Sequence, residues 1–127
     1  MSKDEIRLLL ERLGQALSDG ELKRVSACWE VPALLLLDDG AMALANAVDI
    51  EKLMSQASEA YRSLGIVSTR PEIEHIEILS EKLASVDVRW PAVDESGKER
   101  MSKRSHYIMQ LGRDGHPRIR VALTRTK

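Results

Sequence analysis

The sequence predicts an α+β fold, in which helices pack on the concave face of a curved antiparallel sheet that encloses a cone-shaped pocket. Helical periodicity of the apolar residues is confined to the first half of the chain, and a hairpin pattern separates its two helical stretches. The second half alternates apolar and polar residues in long runs without a further helix. This order of elements is typical of helices packed on one side of an antiparallel sheet.

Residues 1–127 are predicted to form a single domain, because 127 residues have room for one core. The apolar share of 43% is that of an ordinary globular protein, and the formal net charge of −1 favours neither nucleic acid nor a membrane. No apolar run approaches the ~20 residues that span a bilayer. The single cysteine, Cys28, excludes an intramolecular disulfide and indicates a reducing, cytoplasmic setting. We interpret it as a buried thiol rather than a nucleophile.

The first stretch predicts a long helix with a break or kink near Gly20, or two helices in sequence. Its apolar residues keep the spacing of one helix face, and Pro32 is expected to end it because the residue before a proline disfavours the helical region. The apolar stripe consists of Ile6, Leu9, Leu10, Leu13, Leu17, Leu22, Val25 and Trp29.

Two apolar runs flank Asp38-Asp39-Gly40, which predicts a hairpin with a tight turn at positive φ angles. The four leucines at 34–37 predict a strand that is buried on both faces. A second helix follows, with Asn46 or Asp49 as its N-cap and Gly65 as its stop. Its stripe consists of Ile50, Leu53, Met54, Ala57, Tyr61 and Leu64.

Four strands are predicted in the second half, at residues 66–79, 83–90, 102–112 and 117–125, with turns at 91–98 and 112–117. Adjacent residues of a strand point to opposite faces. Tyr107 is therefore predicted to face the core and the neighbouring His106 the outer side. The core-facing sets are Ala84, Val86, Val88 and Trp90 on the second strand, Ser105, Tyr107, Met109 and Leu111 on the third, and Ile119, Val121 and Leu123 on the last.

Two segments, "ALSDGELKRVSACWEVPALLLLDDG" and "RSHYIMQLGRDGHPRIRVALTRT", carry a resemblance to a known superfamily. The first resembles the helix-then-hairpin entry, and the second the terminal hairpin, of the nuclear transport factor 2-like superfamily, which includes the SnoaL-like cyclases and ketosteroid isomerases. The resemblance spans nearly the whole chain and rests on architecture. In the ketosteroid isomerases a carboxylate on the early hairpin acts as the base, and Asp38 stands near that place. The first helix has no tyrosine to match that family's oxyanion donor.

The leading functional hypothesis is a binding domain without chemistry of its own. It would hold a small hydrophobic molecule in a pocket lined by Trp29, Tyr61, Trp90 and Tyr107, or serve as an interaction module, as a homodimer formed through the sheet. The alternative is an enzyme of the SnoaL-like cyclase, isomerase or dehydratase kind, in which Tyr107 donates a proton and Asp38 or Arg89 is the charged partner.

No metal or cofactor is expected, because the histidines at 75, 106 and 116 lie on separate segments without ligand spacing. Asp87 and Arg89 share a face, where a cross-strand ladder is favoured over an anion-binding pair.

Basic residues concentrate at the end of the chain. Residues 98–127 carry nine Lys or Arg against two acidic residues, a net charge of +7, and the preceding residues hold −8. Nucleic-acid binding through these strands is a third hypothesis, but Tyr107 is the only ring in the segment, so a base-stacking platform is missing. Pairing with the acidic strand at 72–81, within one sheet or across a dimer, is favoured.

Overall fold

The computed structural model describes residues 1–126, with side chains through Arg125, and this part of the chain forms three helices and seven strands. No described helix is long and apolar enough to cross a bilayer. The elements are α1 Lys3–Asp19, α2 Leu22–Ser26, β1 Trp29–Leu37, β2 Gly40–Leu44, α3 Ala47–Ser63, β3 Ile66–Thr69, β4 Glu72–Ile78, β5 Leu83–Asp94, β6 Glu99–Leu111 and β7 Pro117–Thr126.

The predicted helices form, with the expected break. Ser2 and Glu5 make a capping box at the start of α1, and Gly20 ends the helix in the left-handed region at φ 70°. Asn46 caps α3 by accepting the backbone N–H of Asp49 at 3.0 Å. The first helical stretch ends earlier than predicted, because α2 stops at Ser26 and Trp29 already begins β1. Pro32 therefore lies inside a strand rather than ending a helix.

The predicted hairpin joins β1 and β2, and Leu37 pairs with Gly40 across its turn. Its turn differs from the prediction, since neither Asp38, Asp39 nor Gly40 has a positive φ. The leucine run is also less buried than predicted. Leu35 is buried, Leu34 and Leu36 on the opposite face are half-buried, and Leu37 is 48% exposed at the end of the strand beside the turn.

One seven-stranded sheet has the order β2-β1-β7-β6-β5-β3, and β4 also pairs with β5. The strand predicted at 66–79 is two strands, which pair with successive parts of β5 and are separated at Arg70-Pro71. The neighbours are antiparallel except for β1 and β7, which pair in parallel. The sheet is otherwise the predicted antiparallel one.

The core-facing set predicted for β7 is partly wrong. Ile119 is buried, but Val121 and Leu123 face the outer side, and Ala122 and Thr124 face the core. The cause is a β-bulge, because Ile108 pairs with Val121 while Met109 pairs with Ile119. The extra residue, Arg120, reverses the alternation.

Helices cover the concave face of the sheet, so the predicted fold class is confirmed. The helix α1 approaches the sheet closely at Gly14. A Cβ at this position would lie 3.0 Å from Pro71 Cδ and 3.3 Å from Trp90 Cζ3. The core itself is aliphatic apart from a few aromatic rings, and its most buried large side chains include Ile6, Leu10, Ile50 and Met109.

Replacing Gly14 by leucine tests this close approach. The added side chain has no room between α1, Pro71 and Trp90, so we expect Gly14→Leu to lower the free energy of unfolding by about 2 kcal/mol. Urea unfolding followed by circular dichroism measures the change. Arg12→Leu, on the exposed face of the same helix, is the control and should stay within about 0.5 kcal/mol of the parent. Equal effects of both substitutions would contradict the close approach.

Candidate functional site: the aromatic end of the concave face

A buried hydrogen bond between two aromatic side chains marks one end of the concave face. The indole Nε1 of Trp90 on β5 donates to the hydroxyl oxygen of Tyr107 on β6 at 3.0 Å. Both side chains are buried, Trp90 at 5% exposure and Tyr107 at 6%. The predicted inward direction of Tyr107 and outward direction of His106 are therefore confirmed.

The environment of Tyr107 keeps its phenol neutral. Burial raises the pKa of Tyr107 to about 12, and the hydrogen bonds with Ser105 and Trp90 only partly oppose this effect. A phenol of this kind is a hydrogen-bond donor or acceptor at neutral pH and not a phenolate base.

Tyr61 of α3 and Lys103 of β6 meet above this pair. Lys103 is the cross-strand neighbour of Trp90, and its Nζ lies 5.2 Å from the centre of the Tyr61 ring. This distance is within the range of a cation–π contact. Burial lowers the pKa of Lys103 and raises the pKa of Tyr61. No carboxylate of the described residues lies within 4.0 Å of the Lys103 ammonium.

Tyr61 also borders a cleft between the C-terminal ends of α1 and α3 and the strand β3. This Tyr61 cleft has a volume of about 290 Å³. It continues along α1 into a wider groove of about 970 Å³, with which it shares Ser18, Val67 and Thr69 among other residues. The Tyr61 cleft is lined by Leu17, Ser18, Asp19, Gly20, Ser58, Tyr61, Arg62, Ile66, Val67, Ser68 and Thr69.

The four residues predicted to line a ligand pocket are not all in one place. Trp90 and Tyr107 are bonded to each other, and Tyr61 lies over the cross-strand neighbour of Trp90. Trp29 lies at the start of β1 beside Ile119, and its buried Nε1 has no hydrogen-bond partner among the described residues. Among the clefts described, Tyr61 is the one of the four that borders an opening. Their role in binding stays a prediction.

Cys28 is buried between α2 and β1, as expected for a structural thiol. Its Sγ lies 3.5 Å from the carbonyl oxygen of Arg24, and burial raises its pKa. A protonated, buried thiol is a poor nucleophile.

The charged residues of the alternative hypothesis lie apart from Tyr107. Asp38 is exposed in the hairpin turn, and Arg89 lies on the outer face of the sheet, where it binds Glu72 at 2.8 Å and also Glu99. Proton transfer requires groups within hydrogen-bond reach of one substrate atom. The arrangement described does not bring these three side chains together.

The outer face carries its own charged cluster. Nδ1 of His106 lies 2.6 Å from a carboxylate oxygen of Asp87, and Arg104 binds Glu74. The predicted pairing of basic strands with the acidic strand is thus formed within the sheet at Arg104, while Lys127 lies outside the described residues. These side chains border an outer-face cleft of about 280 Å³, lined by Glu74, Asp87, Val88, Arg104, Ser105, His106, Leu123 and Arg125.

Lys103 was missed as a site residue by the sequence analysis. The alternation that placed Ser105, Tyr107 and Met109 inside also places residue 103 on the same face. Lys103 belongs to the basic segment at 98–127, and a count of charges along that segment does not show which of its side chains points inward.

The fold has close counterparts among solved structures. A domain with a cystatin-like fold from Nostoc punctiforme PCC 73102 matches with a TM-score of 0.77 and 16% identity, over 100% of this chain and 80% of that chain. An NTF-2 like protein from Shewanella oneidensis MR-1 matches with a TM-score of 0.76 and 16% identity, over 98% of both chains. A ketosteroid isomerase-like protein from Erwinia carotovora atroseptica SCRI1043 matches with a TM-score of 0.74 and 12% identity, over 97% and 94%. These similarities define the protein as one of the cystatin-like α+β class.

The particular family follows from the sequence. Residues 4–127 match the family described as NTF2-like protein (DUF6841), and the chain belongs to this family. The resemblance to the nuclear transport factor 2-like superfamily is thereby confirmed. No curated protein sequence is significantly similar to this chain.

The two tyrosines of the chain allow a direct test of the site's electrostatics. In a Tyr61→Phe variant the remaining phenol is Tyr107, and we expect it to ionise near pH 12 because burial raises its pKa. Absorbance of the phenolate at alkaline pH measures this directly. Ionisation near the ordinary value of 10.0 in the folded variant would contradict the buried Trp90–Tyr107 pair.

The same pKa has a consequence for stability. Tyr107 ionises more readily in the unfolded chain than in the folded protein. Its contribution to the free energy of unfolding is therefore fully present below about pH 10 and is lost as the pH rises to about 12. The expected loss is about 3 kcal/mol, since each pKa unit corresponds to about 1.4 kcal/mol. In Tyr107→Phe the free energy of unfolding should fall less between about pH 10 and pH 12, by this same amount. Urea unfolding at a series of pH values measures the difference.

Proposed function

We propose that the chain binds a small, mostly apolar molecule at the Tyr61 cleft and performs no chemistry of its own. The observation that carries this proposal is an opening bordered by an aromatic ring. Tyr61 is partly buried at the cleft, and Lys103, which lies over its ring, is the cross-strand neighbour of Trp90 in the buried Trp90–Tyr107 pair. Ligand sites are concave, largely apolar and furnished with a few polar groups, with volumes from about 300 Å³ upward. The Tyr61 cleft is at the lower end of that range.

The lining of the cleft combines apolar side chains with hydroxyl groups and with the charged Asp19 and Arg62. Leu17, Ile66 and Val67 supply apolar surface, and Ser18 and Thr69 are already engaged with each other. The Ser18 hydroxyl donates to the Thr69 carbonyl at 3.1 Å and accepts the Thr69 N–H at 3.0 Å. The Ser18 hydroxyl and the Thr69 backbone groups therefore need no hydrogen-bond partner from a ligand.

Titration of ¹⁵N-labelled protein with octan-1-ol tests the proposal. We expect the amide resonances around Tyr61 and Ser68 to shift, with a dissociation constant of about 0.1–1 mM, since roughly 200–250 Å² of buried apolar surface at about 25 cal/mol per Å² is partly offset by the cost of association. Ser58→Phe, which fills the cleft from α3, should weaken binding at least about tenfold.

Gln56→Phe adds the same side chain to an exposed position of the same helix that does not border the clefts described, and it should leave the affinity unchanged. The absence of any shift in the parent protein, or an equal effect of both phenylalanines, would overturn the proposal. Native mass spectrometry of the purified protein is the complementary experiment, because it reports a co-purifying small molecule directly.

A second proposal concerns the outer face of the sheet, which we infer to be the contact surface of a homodimer. Ile108 and Val121 form a partly covered apolar stripe, and Leu123 beside them is 38% exposed. Glu74 and Asp87, which are already paired with Arg104 and His106, border the same outer-face cleft as Leu123. A two-fold axis at the stripe would bury the apolar side chains of the two copies against each other and leave these paired charges around them.

Native mass spectrometry also tests the dimer. The parent chain should be dimeric at micromolar concentration, and Leu123→Glu should shift it to monomer because a carboxylate would be buried at the centre of the contact. Leu8→Glu, at a leucine of α1 that is 46% exposed, is the control and should leave the dimer intact. A parent protein that is monomeric would refute the dimer.

Catalysis by Tyr107 with Asp38 or Arg89 has no supporting contact in this arrangement, and a cytoplasmic location stays a prediction from the single cysteine.

A further inference from the structure

Lys103 lies beside the aromatic site, and no carboxylate of the described residues pairs with it. It extends from β6 on the concave side, in line with Ser105 and Tyr107, and its ammonium group lies over the Tyr61 ring. The other basic residues of β5 and β6 behave differently. Arg89, Arg100 and Arg104 each bind a carboxylate on the rim or the outer face of the sheet.

An ammonium group in this position loses part of its hydration and gains no carboxylate partner among the described residues. Lys103 is partly buried, and burial lowers its pKa, which is the mark of a cation in an unfavourable environment. The Tyr61 ring offsets some of this cost through the cation–π contact, but it cannot provide the hydrogen-bond acceptors that three N–H groups require. A carboxylate can provide them.

The geometry points to an amphipathic carboxylate, such as a medium-chain fatty acid, as the class of ligand that the Tyr61 cleft takes. Tyr61 borders the cleft, and Lys103, which does not line the cleft, lies over the same ring. The apolar tail therefore lies in the cleft against Leu17 and Ile66, and the carboxylate reaches past the Tyr61 ring to pair with Lys103. This inference rests on the proposed binding function and assigns the chemistry of its ligand. Lys103 is a recognition residue in this scheme, and no covalent step is involved.

A comparison of octanoate with methyl octanoate tests the inference, because the two share the apolar tail and differ in charge. Binding is followed by the amide resonances around Tyr61. We expect the parent protein to bind octanoate about fivefold to tenfold more tightly than the ester, the preference expected of one partly buried ion pair. In Lys103→Met this preference should vanish while the affinity for the ester changes less than about twofold. Lys103→Arg should retain the preference.

Lys52 provides a matched control, because it is an exposed lysine of α3 that borders none of the clefts described. Lys52→Met should leave the preference for octanoate unchanged. Arg62, by contrast, lines the cleft itself. The inference is overturned if the parent binds both molecules equally, or if Arg62→Met rather than Lys103→Met removes the preference. In either case binding of the ester still supports the cleft as a ligand site. If neither molecule binds, the proposed function and the inference both fail.

Discussion

The hydrogen bond from Trp90 to Tyr107 joins two neighbouring strands from inside the core, and the concave side is arranged around it. An indole and a phenol bury much apolar surface but each carries one polar atom that needs a partner. Here each satisfies the other, so two large side chains can be buried together without water. The bond also fixes the Trp90 ring under α1, where Gly14 lets the helix come close enough to cover it. The position of α1 on the sheet thus depends on a pair of residues from β5 and β6.

The pair also determines what the concave side can do. Because the Trp90 ring occupies the space beneath α1, the Tyr61 cleft lies at the rim, and its chemistry is that of the rim residues. A catalytic acid or base deep in the concave side would have to be a titratable side chain that points inward. Tyr107 is such a side chain, and its raised pKa keeps it a neutral phenol. Apart from Lys103, the charged residues of β5 and β6 described above pair with opposite charges on the rim or the outer face of the sheet.

The fold followed from the sequence because it depends on periodicity. The stripes of α1 and α3, the caps at Gly20 and Asn46 and the alternation along β5 and β6 are local patterns, and local patterns are visible without the structure. The features that were wrong or missed depend on contacts between distant segments. The division of residues 66–79 follows from pairing with two parts of β5, and the bulge in β7 follows from its register against β6. The meeting of Tyr61 with Lys103 likewise joins α3 to a strand far along the chain.

The bulge at Arg120 has a consequence for comparing this chain with its relatives. A relative that lacks the extra residue would carry its interior side chains on the positions that here face outward, although the two sequences would align well without a gap. Val121 would then be matched with a residue that lines the interior, and Ala122 with one on the surface. A functional role can therefore be assigned from one relative to another along β7 only when superposed structures show that the two residues lie on the same side of the sheet. A sequence alignment alone does not show this.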